Sequence, residues 1–136
     1  MNDELIISKI NSMERSIHRV YEVYDQEPNH LLDVTKQDSM VLNIQRACKA
    51  AADLAIHLIA EYHFGLPQTY EESFDLLFKK GVIDQLMKDN VKSLEKFRHL
   101  ATEDARKINL NDLKRTIESD LEELSSFGKQ ILKYQI

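Results

Sequence analysis

The chain has 136 residues, 43% apolar and 30% charged, the balance of one soluble globular domain rather than of a disordered chain. Three glycines and two prolines are too few to turn many strands, and the single cysteine, Cys48, excludes an internal disulfide and a cysteine-type metal site. A net charge of −5 excludes capture of polyanions by bulk field, and no stretch approaches the ~18 apolar residues of a membrane span, so the expectation is a cytoplasmic, all-α protein.

The first predicted helix covers residues 3 to 25, where Ile6, Ile10, Met13, Ile17, Val20 and Tyr24 recur at steps of three and four and make one apolar stripe. Pro28 and Asn29 end it, residues 27 to 36 read as a loop, and Thr35 or Asp38 is the expected cap of the next helix. That second helix, about 38 to 63, is the most apolar, with Val41, Ile44, Cys48, Ala51, Ala55, Leu58 and Tyr62 as its core face. Gln45, Lys49, Asp53 and His57 follow at four-residue spacing and therefore share one flank, either a half-exposed polar edge or a layer supporting a site elsewhere.

Phe64-Gly65-Leu66-Pro67 stops the second helix in the manner of a glycine cap followed by proline. Thr69 with Glu72 fits a capping box that opens a short helix over about 70 to 79, with Phe74, Leu77 and Phe78 inward. Gly81 breaks it, and a fourth helix starts near Ile83 on Leu86, Met87, Val91, Leu94, Phe97 and Ala101. The last helix opens at Asn109 or Asn111 and buries Leu113, Ile117, Leu121, Leu124 and Ile131, while Glu118, Asp120, Glu122 and Glu123 make an acidic outer face. With no repeat and no alternating strand pattern, the expected architecture is one domain over residues 1–136, an antiparallel, up-and-down bundle of about five helices.

The stretch EKFRHLATEDARKIN, residues 95 to 109, places Arg98, His99 and Glu103 near the end of the fourth helix, with His99 and Glu103 one turn apart. Cleaving an RNA phosphodiester takes a base for the 2′-hydroxyl proton, an acid for the leaving oxygen and a cation for the phosphate. A histidine with a carboxylate can supply the first two, and arginine binds phosphate bidentately. A solvated ion pair on a helix face has the same spacing. His18, His30 and His63 lack ligand spacing, and there is no HExxH and no glycine-rich phosphate loop, so neither metal nor cofactor is expected.

Along nearly its whole length the chain resembles the HepT toxins, HEPN-domain proteins of the HepT–MntA (type VII) toxin–antitoxin systems. The resemblance is carried by LNIQRACKAAADLAIHL in the second helix, GLPQTYEESFDLL across the turn, with Asp53 and His57 upstream of it, and INLNDL at the opening of the last helix. It implies a HEPN-like five-helix bundle, a homodimer, and a metal-independent ribonuclease acting on tRNA or other RNA. It also implies a partner, a minimal nucleotidyltransferase antitoxin of MntA type that adds AMP to a tyrosine two residues after the catalytic histidine.

Against the family's Arg-Asn, three residues, His, one residue, Tyr pattern, Phe97 and Arg98 match, and so do Ile108 and Asn109 downstream. His99 takes the asparagine position, Glu103 the histidine position and Ala105 the position of the AMP-accepting tyrosine. In the second helix Gln45, Asp53 and His57 match, while Lys49 stands at a usually acidic position. The resemblance therefore implies either a toxin component with inactive or weakened cleavage, whose site residues are Arg98, His99 and Glu103, or a non-catalytic dimeric binding subunit of the nucleotidyltransferase.

Overall fold

A stripe of apolar residues at helical spacing is stable only when a neighbouring element covers it, and the two longest stripes here cover one another. A computed structural model of the chain describes residues 3–135. In it α1 (Asp3–Tyr24) packs along α2 (Val34–Glu61). Ile6, Met13, Ile17, Val20 and Tyr24 of α1 are buried. Ile10 is partly buried and packs against Gly128, where an added Cβ would meet Ile10 Cγ2 at 3.1 Å.

The chain reverses through Asp25 and Gln26, both at positive φ, into a 3-10 turn over Pro28–Leu32. Buried Leu31 anchors this turn in the core, so the expected loop is ordered and α2 begins earlier than the sequence reading placed it. Its cap is neither Thr35 nor Asp38 but Asp33, whose carboxylate accepts from the Lys36 amide at 2.9 Å. From Met40 to Ile59, α2 buries residues on most of its circumference, as expected of the central helix of a bundle. Tyr62 lies beyond the helix and is 38% exposed, outside the core face assigned to it.

Gly65, at φ +144, carries the chain into α3 (Tyr70–Lys79). Thr69 Oγ1 accepts from the Glu72 amide at 3.1 Å, and the Glu72 carboxylate accepts from the amide of Gln68 at 2.6 Å, so the expected capping box closes one residue further back. Phe74 and Leu77 are buried, but Phe78 turns outward beneath the Lys88 ammonium, 4.4 Å from the ring centroid. Asp84 caps α4 (Gln85–Asp104) through the Met87 amide at 2.8 Å. That register puts Met87, Val91, Leu94, Phe97 and Ala101 inward and leaves Leu86 71% exposed, against its predicted place in the core.

After a 3-10 turn over Ala105–Lys107, the last helix runs as α5 (Leu110–Arg115), a π-helical turn (Thr116–Asp120) and α6 (Leu121–Gln135) without leaving helical backbone angles at the junctions. Side chains from other helices bond to the π turn: Tyr21 donates to the Ile117 carbonyl at 3.0 Å and Asn90 Nδ2 to the Asp120 carbonyl at 3.0 Å. Besides the expected stripe, α6 buries Phe127, which meets Phe74 edge-on at 6.0 Å between centroids. The architecture is an all-α, up-and-down bundle. Among the described residues there is no strand, and no helix is long and apolar enough to cross a membrane.

Of the two asparagines at the start of the last helix, Asn109 is the cap, its Oδ1 accepting from the Asp112 amide at 2.7 Å. Replacing Asn109→Ala is expected to cost about 1 kcal/mol in urea denaturation. Asn111→Ala, a surface change that removes no cap, stays within about 0.5 kcal/mol of zero.

Candidate functional site

α4 delivers the candidate residues on two different faces. On the inward-facing side, the Arg98 guanidinium is held by Glu95 through two parallel bonds, Nε to Oε2 at 2.9 Å and Nη2 to Oε1 at 2.8 Å. Glu95 is 8% exposed, an unusual place for a carboxylate, and the bidentate pair offsets its desolvation. The guanidinium carbon also lies 4.8 Å from the centroid of the Tyr70 ring, at the start of α3. The bonds to Glu95 raise the Arg98 pKa further above its already high ordinary value, so this cation is permanent.

The arginine fork carries five N–H donors, of which Glu95 takes two. Arg98 and Glu95 both line a hollow of about 380 Å³, walled also by Ile56, Pro67, Gln68, Thr69, Tyr70 and His99. An anion resting there would share the guanidinium with Glu95 rather than have it outright.

His99 and Glu103 are one turn apart on α4 as the spacing predicted, with Nε2 to Oε1 at 3.2 Å. Their side chains are 73% and 59% exposed, the setting of a solvated pair. His99 reaches the Arg98 hollow, and Glu103 is absent from its wall. Thr102 ties this end of α4 together, donating to the Arg98 carbonyl at 2.9 Å and accepting from Gln45 Nε2 at 3.4 Å. Ala105 lies past the end of α4 and lines a separate hollow of about 210 Å³ with Gln37, Asp38, Gln45 and Arg106.

The polar flank of α2 divides between these places. Gln45 sits with Thr102 and Ala105. Asp53 pairs with Lys49 at 3.2 Å and Lys9 at 3.3 Å, and with His57 it lines a third hollow of about 410 Å³ between α1 and α2. Ile56 and Tyr70 wall both this hollow and the Arg98 hollow, so Asp53 and His57 lie across these two side chains from the arginine. His57 Nε2 is buried with no hydrogen-bond partner among the described residues. Cys48, directly under Glu95 and Arg98 in the core, has its thiol pushed up to about 12 by burial and by the Glu95 charge, which removes it as a nucleophile near neutrality.

Residues 12–131 match the family model described as "Ribonuclease HepT-like". The chain belongs to the HepT-like family. It is 36% identical over 127 residues to the mRNA nuclease HepT of Shewanella oneidensis, covering 93% of this chain and 95% of that one. Among solved structures it is similar to a tri-AMPylated S. oneidensis HEPN toxin in complex with MNT antitoxin, with a TM-score of 0.91, 35% identity and coverage of 98% and 99%. A toxin–antitoxin crystal structure with AMP-PNP gives the same TM-score of 0.91 and identity of 35%, covering 96% of this chain and 98% of that one. The fold of this HepT-like chain is thus a HEPN toxin fold.

Sequence reasoning singled out Arg98 and missed the two groups that hold it, Glu95 and Tyr70. Glu95 stands three residues before Arg98, a spacing that could have flagged it, whereas Tyr70 arrives from another helix and left no local signal. Truncating Arg98→Ala strands Glu95 in the interior, and we expect a loss of about 2–3 kcal/mol in chemical denaturation, with part of it recovered when Glu95→Gln is added. A double-mutant cycle measures that coupling; additive losses would mean that the pair is worth nothing.

Proposed function

We propose that this chain is the toxin component of a toxin–antitoxin pair, a HepT-type ribonuclease whose cleavage is weakened or lost because its general base is gone. Its family membership and the antitoxin-bound state of its structural relatives support the paired role. The partner is a minimal nucleotidyltransferase of MntA type, the active unit is a homodimer, and the ligand is tRNA or another RNA.

One observation carries the weakened activity. The position that should hold the catalytic histidine is Glu103, whose carboxylate lies exposed beside His99 at 3.2 Å. A carboxylate there cannot act as the near-neutral base that imidazole supplies, and losing a general acid–base group costs ~10²–10⁴-fold in rate. Arg98 remains as a phosphate clamp, partly neutralised by Glu95. Ala105 has no hydroxyl to accept AMP, which is consistent with a protein that no longer needs to be silenced.

A second reading, a non-catalytic binding subunit of the nucleotidyltransferase, keeps the partner and dispenses with RNA. The His99–Glu103 contact at 3.2 Å favours a third, in which His99 acts from one turn away with Glu103 orienting its ring. The decisive variant carries Glu103→His and Ala105→Tyr together. On the weakened-ribonuclease reading it cleaves total tRNA without metal at least about 10²-fold faster than the native chain and becomes an AMP acceptor for an MntA-type enzyme. No gain in cleavage would mean that the hollow itself has diverged.

A further inference from the structure

The turn that walls the Arg98 hollow has a second hollow on its other side. Pro67 borders both. The second, about 330 Å³, is lined by Phe64, Gly65, Leu66, Leu76 and Lys79 among others. At this end of the bundle three rings meet at the surface. Tyr62 and Phe64 stack at 5.5 Å and 17°, and Tyr134 from α6 meets Tyr62 edge-on at 5.3 Å and 84° and Phe64 at 6.2 Å and 74°. Tyr62 is 38% exposed and Tyr134 37%. The Lys80 ammonium sits 5.6 Å from the Phe64 centroid, and Lys79 and Lys133 are exposed nearby in the sequence.

We propose that Tyr62, Phe64 and Tyr134 form a stacking subsite for an unpaired base of single-stranded RNA whose backbone occupies the Arg98 hollow. This rests on the reading that the chain handles RNA. Exposed rings accompanied by cations and continuous with a phosphate-binding groove are the recurring equipment for holding single strands, because every base offers a ring face and every linkage a charge. Of the two acids bordering the second hollow, Asp75 is paired with Lys92 at 2.8 Å, and Glu72 accepts from the Gln68 amide at 2.6 Å and keeps its charge. Lys79, in the lining, and Lys80, over the Phe64 ring, bring ammonium groups to this end of the bundle, against the negative charge of the whole chain. Leu66, 92% exposed on the turn between the two hollows, would lie along the path of the strand.

The test is fluorescence anisotropy with a labelled single-stranded RNA of about ten nucleotides, alongside an abasic chain of the same length that keeps the phosphates and lacks the rings. Changing Tyr62→Leu and Tyr134→Leu together preserves apolar packing and removes the ring faces. RNA binding is expected to weaken about tenfold or more, abasic binding to stay the same, and Tyr62→Trp to retain RNA binding. Should the leucine pair unfold by circular dichroism, Tyr134→Leu alone serves in its place, with a smaller loss expected on the RNA and none on the abasic chain.

Unchanged RNA affinity, or equal loss on both chains, overturns the subsite. If Arg98→Ala weakens RNA binding and the leucines do not, the subsite fails while the RNA reading stands. A native chain that binds neither oligonucleotide sinks both. A shift in oligomeric state by light scattering with RNA affinity intact would make the ring cluster a contact between copies instead.

Discussion

Burying a carboxylate among packed helices costs several kcal/mol unless a cation and hydrogen bonds offset it. In this bundle Glu95 is buried and Arg98 supplies both, from the next turn of the same helix. The pair needs a floor, which is the Tyr70 ring, and Tyr70 stands where it does because Thr69 caps α3 after the Gly65–Pro67 turn. The turn, the cap and the ring together fix where the guanidinium can point. The same three features wall the hollow in which an anion would meet it.

That arrangement ties Arg98 to the stability of the bundle. Substituting Glu103 or Ala105 disturbs only exposed positions near the end of α4, where the structure gives at small cost. Substituting Arg98 would leave an unpaired charge inside. The arginine therefore has a structural reason to persist that is independent of chemistry, and its presence alone is not evidence of turnover. Glu103 and Ala105, the positions on which the proposed loss of activity turns, are exposed and carry no such structural constraint.

Much of the fold was legible because the core is built from periodic stripes. Met13, Ile17 and Val20 on α1, Leu94 and Phe97 on α4 and Leu113, Ile117 and Leu121 on the last helix are buried where their spacing put them. The failures lie at element ends. Tyr62, Phe78 and Leu86 continue a stripe in sequence but sit where the helix ends or turns toward solvent. The π turn could not be read locally, since its side-chain donors Tyr21 and Asn90 come from other helices. In the candidate site, the pairing of His99 with Glu103 was readable from spacing, and the separation of Asp53 and His57 from Arg98 by Ile56 and Tyr70 was not. Nor does spacing distinguish the Glu95–Arg98 pair from the exposed Asp112–Arg115 pair at the same interval; only burial does.

The central claim is that phosphate binding has outlived proton transfer at this site. It is tested most directly by the pH dependence of RNA cleavage under enzyme excess without metal, for the native chain and for His99→Ala. The account predicts at most a trace rate, the same in both proteins and without a histidine-like limb near pH ~6.5. A bell-shaped profile that disappears in His99→Ala would contradict it and assign the proton transfer to His99.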